Sequence, residues 1–327
     1  MIARLPIVAV LALAGALSLA NPSGPERPLR IAVIGDINAS YGTVGYGPEV
    51  GAAVRRIIEI DPDLVIGVGD LIAGQQTRPQ LQRDRLEAMW RAFDEEVLAP
   101  METAGIPFVP VPGNHDASAL PGFDLEREIF REQWDRHRPG LAFVGAEEGH
   151  DFPFRYAFDL GDVRFAILDA TTVGPLNAGQ RDWLSAVLGA REASPRTRVV
   201  AAHLPIHAFA QGREKEILAD AELEALLVAR GVDLFLSGHH HAFYPGYSGG
   251  VRYVSQGALG SGPRRLIGET NRSAKSFTLL EIDPEGNIDI RAFAAPDFAS
   301  AIDVRSLPAE IRYGGSFLER EDLAQAP

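Results

Sequence analysis

The chain reads as a mixed α/β protein in which two packed mixed sheets are flanked by helices. Three observations predict this. Short apolar runs of Val, Ile, Leu, Phe and Ala recur along the 327 residues and read as buried strands. In the first half these runs alternate with amphipathic helical stretches, the pattern of parallel pairing through crossovers. Later they close up into hairpin-like pairs, which argues against a purely parallel sheet.

Taken in order, Leu29 to Gly35 is a buried strand ending at Asp36, and a Gly- and Tyr-rich loop follows through Gly47. Glu49 to Glu59 carries Val50, Ala53, Val54, Ile57 and Ile58 at helical spacing. Asp63 to Gly69 is the second strand, ending at Asp70. A long amphipathic helix over Arg78 to Leu98 is expected to stop near Pro100. Ile106 to Val111 is the third strand, ending in Gly113-Asn114-His115-Asp116. Residues 117–150 are less regular, hold a helix around Leu125 to His137, and read as a lid or insertion over the site. Phe154 to Asp159 and Val163 to Leu168 alternate like a hairpin about Leu160-Gly161-Asp162. Asn177 caps a helix that runs to Leu188. Arg198 to Ala202 is a strand ending at His203, and Glu214 to Arg230 reads as one helix stopped by Gly231. Val232 to Ser237 leads into Gly238-His239-His240-His241, and Val251 to Ser255, Phe277 to Ile282 and Ile288 to Ala292 are later strands. From about Pro296, scattered Ile302, Val304, Leu307, Ile311 and Phe317 suggest a tail strapped onto the core. The main domain is therefore expected over 21–295 and the tail over 296–327.

Composition bounds the function. With 46% hydrophobic residues there is ample material for a large core. A net charge of −13 repels phosphate-rich partners, so no nucleic-acid-binding surface and no anionic-membrane surface is expected. An anionic substrate stays possible, because bound divalent cations reverse the local field. The chain has no cysteine, which rules out disulfides and thiolate metal sites. Residues 1–20 carry Arg4, an apolar run from Leu5 to Leu17, and Ser18-Leu19-Ala20 ahead of Asn21-Pro22-Ser23-Gly24. That is the layout of a signal peptide. The run is shorter than the ~20 apolar residues of a membrane helix, which favours cleavage over anchoring. The expected product is secreted or periplasmic, with no membrane attachment after cleavage.

Five polar stretches each follow an apolar run: Asp36-Ile37-Asn38, Gly69-Asp70, Gly113-Asn114-His115-Asp116, His203 and Gly238-His239-His240-His241. Groups at the carboxyl ends of parallel strands converge on one crevice. A pair of metals ~3.5–4 Å apart needs shared ligands, and a carboxylate bridges well because each oxygen takes one metal. Asp70 is the natural bridge. Asp36 and His241, with Asn38 as a further candidate, serve the first metal, and Asn114, His203 and His239 serve the second. Oxygen ligands with imidazole suit Mn, Fe or Zn rather than Ca. Glycine precedes the ligand at Gly35, Gly69, Gly113 and Gly238, where it allows tight turns and close approach. Any one of these residues alone fits an ordinary strand-end turn; their joint occurrence at successive strand ends favours metal.

Other polar residues have blander readings. Asn38 fits ligation and loop shaping equally well. His240 should point away from the site, since neighbours in an extended segment alternate sides. His207, four residues beyond His203, fits either the pocket lining or a loop cap, His137 and His150 fit solvated positions, and Arg264-Arg265 fits a solvated pair although guanidinium also grips phosphate. Tyr41 and Tyr46 suit either the mouth of the site or loop packing.

The ordered set resembles the calcineurin-like metallophosphoesterase superfamily from about residue 29 to 295, most specifically in Gly113-Asn114-His115-Asp116 and Gly238-His239-His240-His241. The stretch Arg155-Tyr156-Ala157-Phe158-Asp159 to Leu168-Asp169, with Gln180 and Trp183-Leu184, is similar to the middle of its secreted and acid-phosphatase branches. The resemblance implies a four-layer α/β/β/α sandwich and a hydrolase of phosphate esters with two divalent metal ions. In that reading a hydroxide held between the metals attacks phosphorus in line. His115 is the candidate acid for the leaving alkoxide, Asp116 is expected to orient its ring, and Asn114 and His115 are expected to meet the substrate.

Two departures stand out. Asn38 occupies a place usually held by histidine, and an amide oxygen binds a metal more weakly than imidazole, so the first metal is expected to be looser, harder in preference, or helped by Tyr41 or Tyr46. The purple acid phosphatases carry a tyrosine three residues after the bridging aspartate, and here that place is Ala73, so no iron–tyrosinate chromophore is expected. The sequence leaves open a non-catalytic binding module on the same fold, and a phosphodiesterase or nucleotidase. The choice among phosphoesterases lies in the pocket walls, for which residues 117–150 and 258–275 are the candidates.

Overall fold

The computed structural model describes residues 27–145, 149–189, 195, 197–260 and 262–324. The signal peptide read over residues 1–20 lies outside them. The elements begin with β1 (Leu29–Ile34), α1 (Pro48–Ile60), β2 (Leu64–Gly67), α2 (Arg83–Phe93), α3 (Ala99–Thr103), β3 (Phe108–Pro110), α4 (Asn114–Ala117) and α5 (Asp124–Arg136). There follow β4 (Phe143–Val144), β5 (Tyr156–Leu160), β6 (Val163–Ile167), α6 (Ala178–Leu188), β7 (Thr197–Ala201), α7 (Ala221–Ala229) and β8 (Leu234–Ser237). The last strands are β9 (Tyr244–Ser248), β10 (Val251–Ser255), β11 (Ser276–Ile282), β12 (Ile288–Ala294), β13 (Glu310–Tyr313) and β14 (Ser316–Arg320). Among the described residues no helix is long and apolar enough to cross a membrane.

The strands form a 5-stranded sheet of order β12-β11-β1-β2-β3 and a 9-stranded sheet of order β13-β14-β9-β10-β8-β7-β6-β5-β4. Both are mixed. β1, β2 and β3 are parallel neighbours, with β11 antiparallel to β1. β6, β7, β8 and β10 are parallel in the second sheet, bordered by antiparallel β5 and β9. Side-chain alternation along a strand makes the layers. In β7, Val199 and Ala201 pack into the cluster shared with β1, β2 and β3, while Val200 packs with Trp183 and Leu184 of α6 and Leu223 and Leu227 of α7. Val50, Ala53, Val54 and Ile57 of α1 bury their stripe in the first cluster. Each Val, Leu or Ile among them contributes ~1.5–3 kcal/mol by leaving water. The result is the expected α/β/β/α sandwich.

Several elements differ from expectation. The helix read over Arg78 to Leu98 starts at Arg83, widens into a π-type turn over Asp94–Leu98, and continues as α3. Pro100 does not stop it, because Pro100 opens the first turn of α3, where a missing N–H goes unused. The helix read over Glu214 to Arg230 starts at Ala221. The buried Asp220 carboxylate caps it by accepting the Leu223 N–H at 2.9 Å, and it also accepts the Leu176 N–H at 2.9 Å. Residues 214–220 are thereby freed to turn toward the strand ends.

α5 is not a lid. Its Trp134 stacks on Phe108 of β3 at 5.5 Å and 11°, and meets Trp90 and Phe93 of α2 edge-on. His137 and His150 are half-buried rather than solvated: His137 Nδ1 lies 3.1 Å from Glu102, and His150 packs on Phe143 at 5.0 Å. β13 and β14, in the C-terminal segment, extend the second sheet through β9.

Candidate metal centre

Asp36 follows β1, Asp70 follows β2 and Asn114 follows β3, all at the same end of the first sheet. His203 follows β7, and His239 and His241 follow β8, at the facing end of the second. Hydrogen bonds stitch the two ends together. Asp36 N–H donates to the Gly69 carbonyl at 3.0 Å, and Ile37 N–H to the Asp70 carbonyl at 3.1 Å. Across the sheets, His203 Nδ1–H donates to the Val68 carbonyl at 2.8 Å, and His239 N–H to Asp36 Oδ2 at 3.0 Å.

Asp70, His203 and His239 each offer a ligand atom within 4.8 Å of the others, and so do Asp36, Asp70 and His241. Asp70 belongs to both groups. Asn114 Oδ1 joins the first, 2.9 Å from His203 Nε2. Asn38 is buried beside them, with its backbone N–H donating to the Asp70 carbonyl at 3.3 Å.

The local backbone is built for this convergence. Asp36, Asp70, His239 and His241 hold φ values of 50°, 56°, 63° and 53°. A side chain in this left-handed region costs ~1–2 kcal/mol, and such strain concentrates at functional sites. Two glycines make room. A Cβ on Gly69 would lie 2.5 Å from His203 Nδ1, and one on Gly113 would lie 2.5 Å from Asp70 Oδ1.

The donor set fits divalent cations. Asp36 and Asp70 are buried, and among the described residues their carboxylates meet backbone N–H groups and imidazoles. Each imidazole has one nitrogen occupied, which fixes the other toward the centre. His203 gives Nδ1–H to Val68 and leaves Nε2. His241 Nδ1 lies 3.3 Å from the Gly262 carbonyl, leaving Nε2 at 3.2 Å from Asp36 Oδ1. His239 Nε2 lies 3.0 Å from Glu216 Oε2, leaving Nδ1. Burial alone would raise the Asp70 carboxyl, but the His203 and His115 imidazoles hold it below the usual range. Burial alone would lower His203, but the Asp70 carboxylate brings it up to about 9.

His115 borders the same space. Its Nδ1–H donates to the Gly74 carbonyl at 3.0 Å, which leaves Nε2 3.7 Å from Asp70 Oδ2. Tyr41 stacks on its ring at 4.8 Å and 26°. The expectation that Asp116 orients this ring is corrected. The Asp116 carboxylate accepts the Ile72 N–H at 2.8 Å and the Gly113 N–H at 3.2 Å, so it ties the two ligand loops together. Burial, with Asp70 nearby, pushes its carboxyl well up.

Sequence reasoning missed other contributors. Asn114 Nδ2 donates to Gln75 Oε1 at 2.8 Å, which turns Asn114 Oδ1 toward His203. Glu216 holds His239 and is itself paired with Arg213. The His239 bond brings the Glu216 carboxyl down to about 2. The charged stretch Gly212-Arg213-Glu214-Lys215-Glu216 ahead of a capping Asp220 was the available sign.

Arg213, Glu216, Tyr41 and Arg264 line a cavity of about 720 Å³ over Asp70, Asn114, His115, His239 and His241. Arg264 is thus not one of a solvated pair: it is half-buried, and its Nε is buried without a hydrogen-bond partner among the described residues. Burial and neighbouring Arg213 lower its guanidinium below the ordinary value. Arg265 is exposed and donates to the Thr270 carbonyl. His240 turns away as expected, its Nδ1 accepting the Phe209 N–H at 3.1 Å. His207 lies off the site, 2.7 Å from Ser316 Oγ. Tyr46 packs its loop, donating to the Leu71 carbonyl at 2.7 Å.

A family model described as calcineurin-like phosphoesterase matches residues 29–243. Purple acid phosphatase 15 of Arabidopsis thaliana is 25% identical over 245 residues, covering 69% of this chain and 42% of that protein. Purple acid phosphatase 23 of the same plant is 26% identical over 244 residues, covering 69% and 49%. The chain thus spans less than half the length of the curated relatives it matches. A solved dimetal phosphatase from Danio rerio superposes with a TM-score of 0.55 at 17% identity, over 85% of this chain and 98% of its own; the likeness is one of fold.

Proposed function

The chain belongs to the calcineurin-like phosphoesterase family, and from that premise we propose that it is an exported, metal-dependent hydrolase of phosphate esters. One observation carries the reading: Asp70 is shared by two buried groups of potential ligands. Two divalent cations, of Mn, Fe or Zn type, would be held by Asp36, Asp70, Asn114, His203, His239 and His241. When bound, such cations supply a water of pKa ~7 and neutralise charge on phosphoryl oxygens. Export rests on the layout of residues 1–20.

The chain's own groups have separate tasks. Val68, Gly262 and Glu216 hold the three imidazoles in the ligating orientation. The His115 ring is fixed at Nδ1 by Gly74, so a proton on Nε2 faces the cavity. From there it is delivered to the leaving alcohol oxygen. The Asn114 amide and His115 meet the phosphoryl group from the first sheet. Arg264 offers an unpartnered guanidinium N–H from the other side. With buried Ala73 in place of a tyrosine, a protein loaded with iron has no tyrosinate ligand there and no visible band from one.

A panel of phosphomonoesters and phosphodiesters, run on metal-stripped protein with Mn, Zn, Fe or Co added back, tests the reading. Metal-restored phosphate or alcohol release is the expected result. No release from any ester with any metal would overturn it.

A further inference from the structure

We propose that Tyr41, Leu120 and Val173 form a leaving-group subsite, so that the preferred substrates are phosphate esters of alkyl or aryl alcohols rather than of polyols. The inference rests on the phosphoesterase reading and deepens it.

Tyr41, Leu120 and Val173 are 56%, 47% and 59% exposed, and all of them border the cavity over the candidate metal centre. Large apolar side chains left to water around one pocket mark a place where an apolar group is buried on binding. Their position relative to the chemistry is specific. Tyr41 stacks on His115. Leu120 lies just beyond α4, which carries His115, and the neighbouring Ala119 N–H donates to Thr171 Oγ1 at 2.9 Å. That bond ties the Leu120 loop to the loop bearing Val173, whose other side is held by Gly174 N–H to the Ile217 carbonyl at 3.1 Å.

The cationic groups sit elsewhere. Arg213 is paired with Glu216, which holds His239; Arg264 is anchored at its backbone, whose N–H donates to the His241 carbonyl at 3.1 Å, and its side chain lines the cavity. The cavity therefore presents charge beside His239 and His241, whereas its rim beside His115 carries the exposed Tyr41, Leu120 and Val173 among the neutral side chains of Ser40, Gln75, Thr171 and Thr172.

The bond that breaks joins phosphorus to the alcohol oxygen. Its electron pair stays on that oxygen, which takes the proton of His115 Nε2, and water supplies the oxygen that phosphorus gains. The departing alcohol thus leaves from beside His115, and its carbon chain lies against the rim.

Two series on the Mn-loaded protein test this. One is the Kd of methyl-, propyl- and hexylphosphonate by titration calorimetry. The other is kcat/KM for ethyl, butyl and hexyl phosphate, whose alcohols are nearly equal in acidity. Each added methylene should tighten binding and raise kcat/KM roughly two- to fourfold. Leu120→Ser and Val173→Ser, both at exposed positions, should move the hexyl-to-ethyl ratio toward one. A flat series in both measurements, with ethyl phosphate turned over, overturns the subsite and leaves the phosphoesterase standing. Neither binding nor turnover of any member overturns the subsite; the phosphoesterase reading falls as well only if the wider panel of monoesters and diesters is also left intact with every metal.

Discussion

His115 is the residue where position and task can be separated. Its ring touches Asp70 only at 3.7 Å and is anchored through Gly74, so removing it leaves the ligand groups intact. His115→Ala should therefore lower turnover of alkyl phosphates by about 10²–10⁴-fold, the usual contribution of a placed acid. Elemental analysis of the variant should still find the metal of the parent protein, and aryl phosphates with acidic leaving groups should lose less. Glu216 acts at one remove, through His239. Glu216→Gln keeps the shape and loses the charge, and a metal titration should show affinity for one cation about 10–100-fold weaker. The candidate ligands were legible because each follows an apolar run and a specific residue type marks it. Glu216, Gln75 and the Gly74 carbonyl were not, because they reach the site through loop conformations. In Gly74 the functional atom is a backbone oxygen, on which no side-chain pattern bears.

At the scale of elements, the strands that deliver ligands were read correctly, since a fully buried run needs little context. α2 and α7 were misread for a local reason. Periodicity continues across a boundary that a cap decides, and the Asp220 carboxylate, not the apolar spacing, sets where α7 begins. β9 escaped notice because Pro245 and Gly246 hide its alternation; the Gly249–Gly250 turn and its pairing with β10 hold it. Residues 117–150 read as a lid or insertion because they are less regular than their surroundings, yet Leu125, Ile129, Phe130 and Trp134 pack α5 against the core.

The same helix carries a testable charge. Burial pushes the Glu126 carboxyl up to about 7, although it accepts the Gln75 N–H at 3.0 Å. An unfolded glutamate titrates at about 4.3. Between these values the folded chain binds more protons, so stability present at low pH is lost as pH rises toward 7. Glu126→Gln removes that dependence. Thermal melts should show the variant and parent close near pH 4 and the variant ahead at pH 8; parallel curves would contradict the assignment.

For the molecule as a whole, the candidate centre joins the two sheets. Asp36, Asp70 and Asn114 come from one, and His203, His239 and His241 from the other. Cations held there would bind the folded sandwich and not the unfolded chain. A metal present at 100 times its Kd should add about 2.7 kcal/mol, so a chelator should lower Tm and restored metal should raise it.

Asp70 belongs to both ligand groups, which makes its charge the point on which the centre depends. The most direct test is the metal-to-chain ratio of the parent protein and of Asp70→Asn, by elemental analysis after loading with Mn or Zn. The account predicts a ratio near two for the parent and below one for the variant. A variant that keeps two tightly bound metals would contradict it.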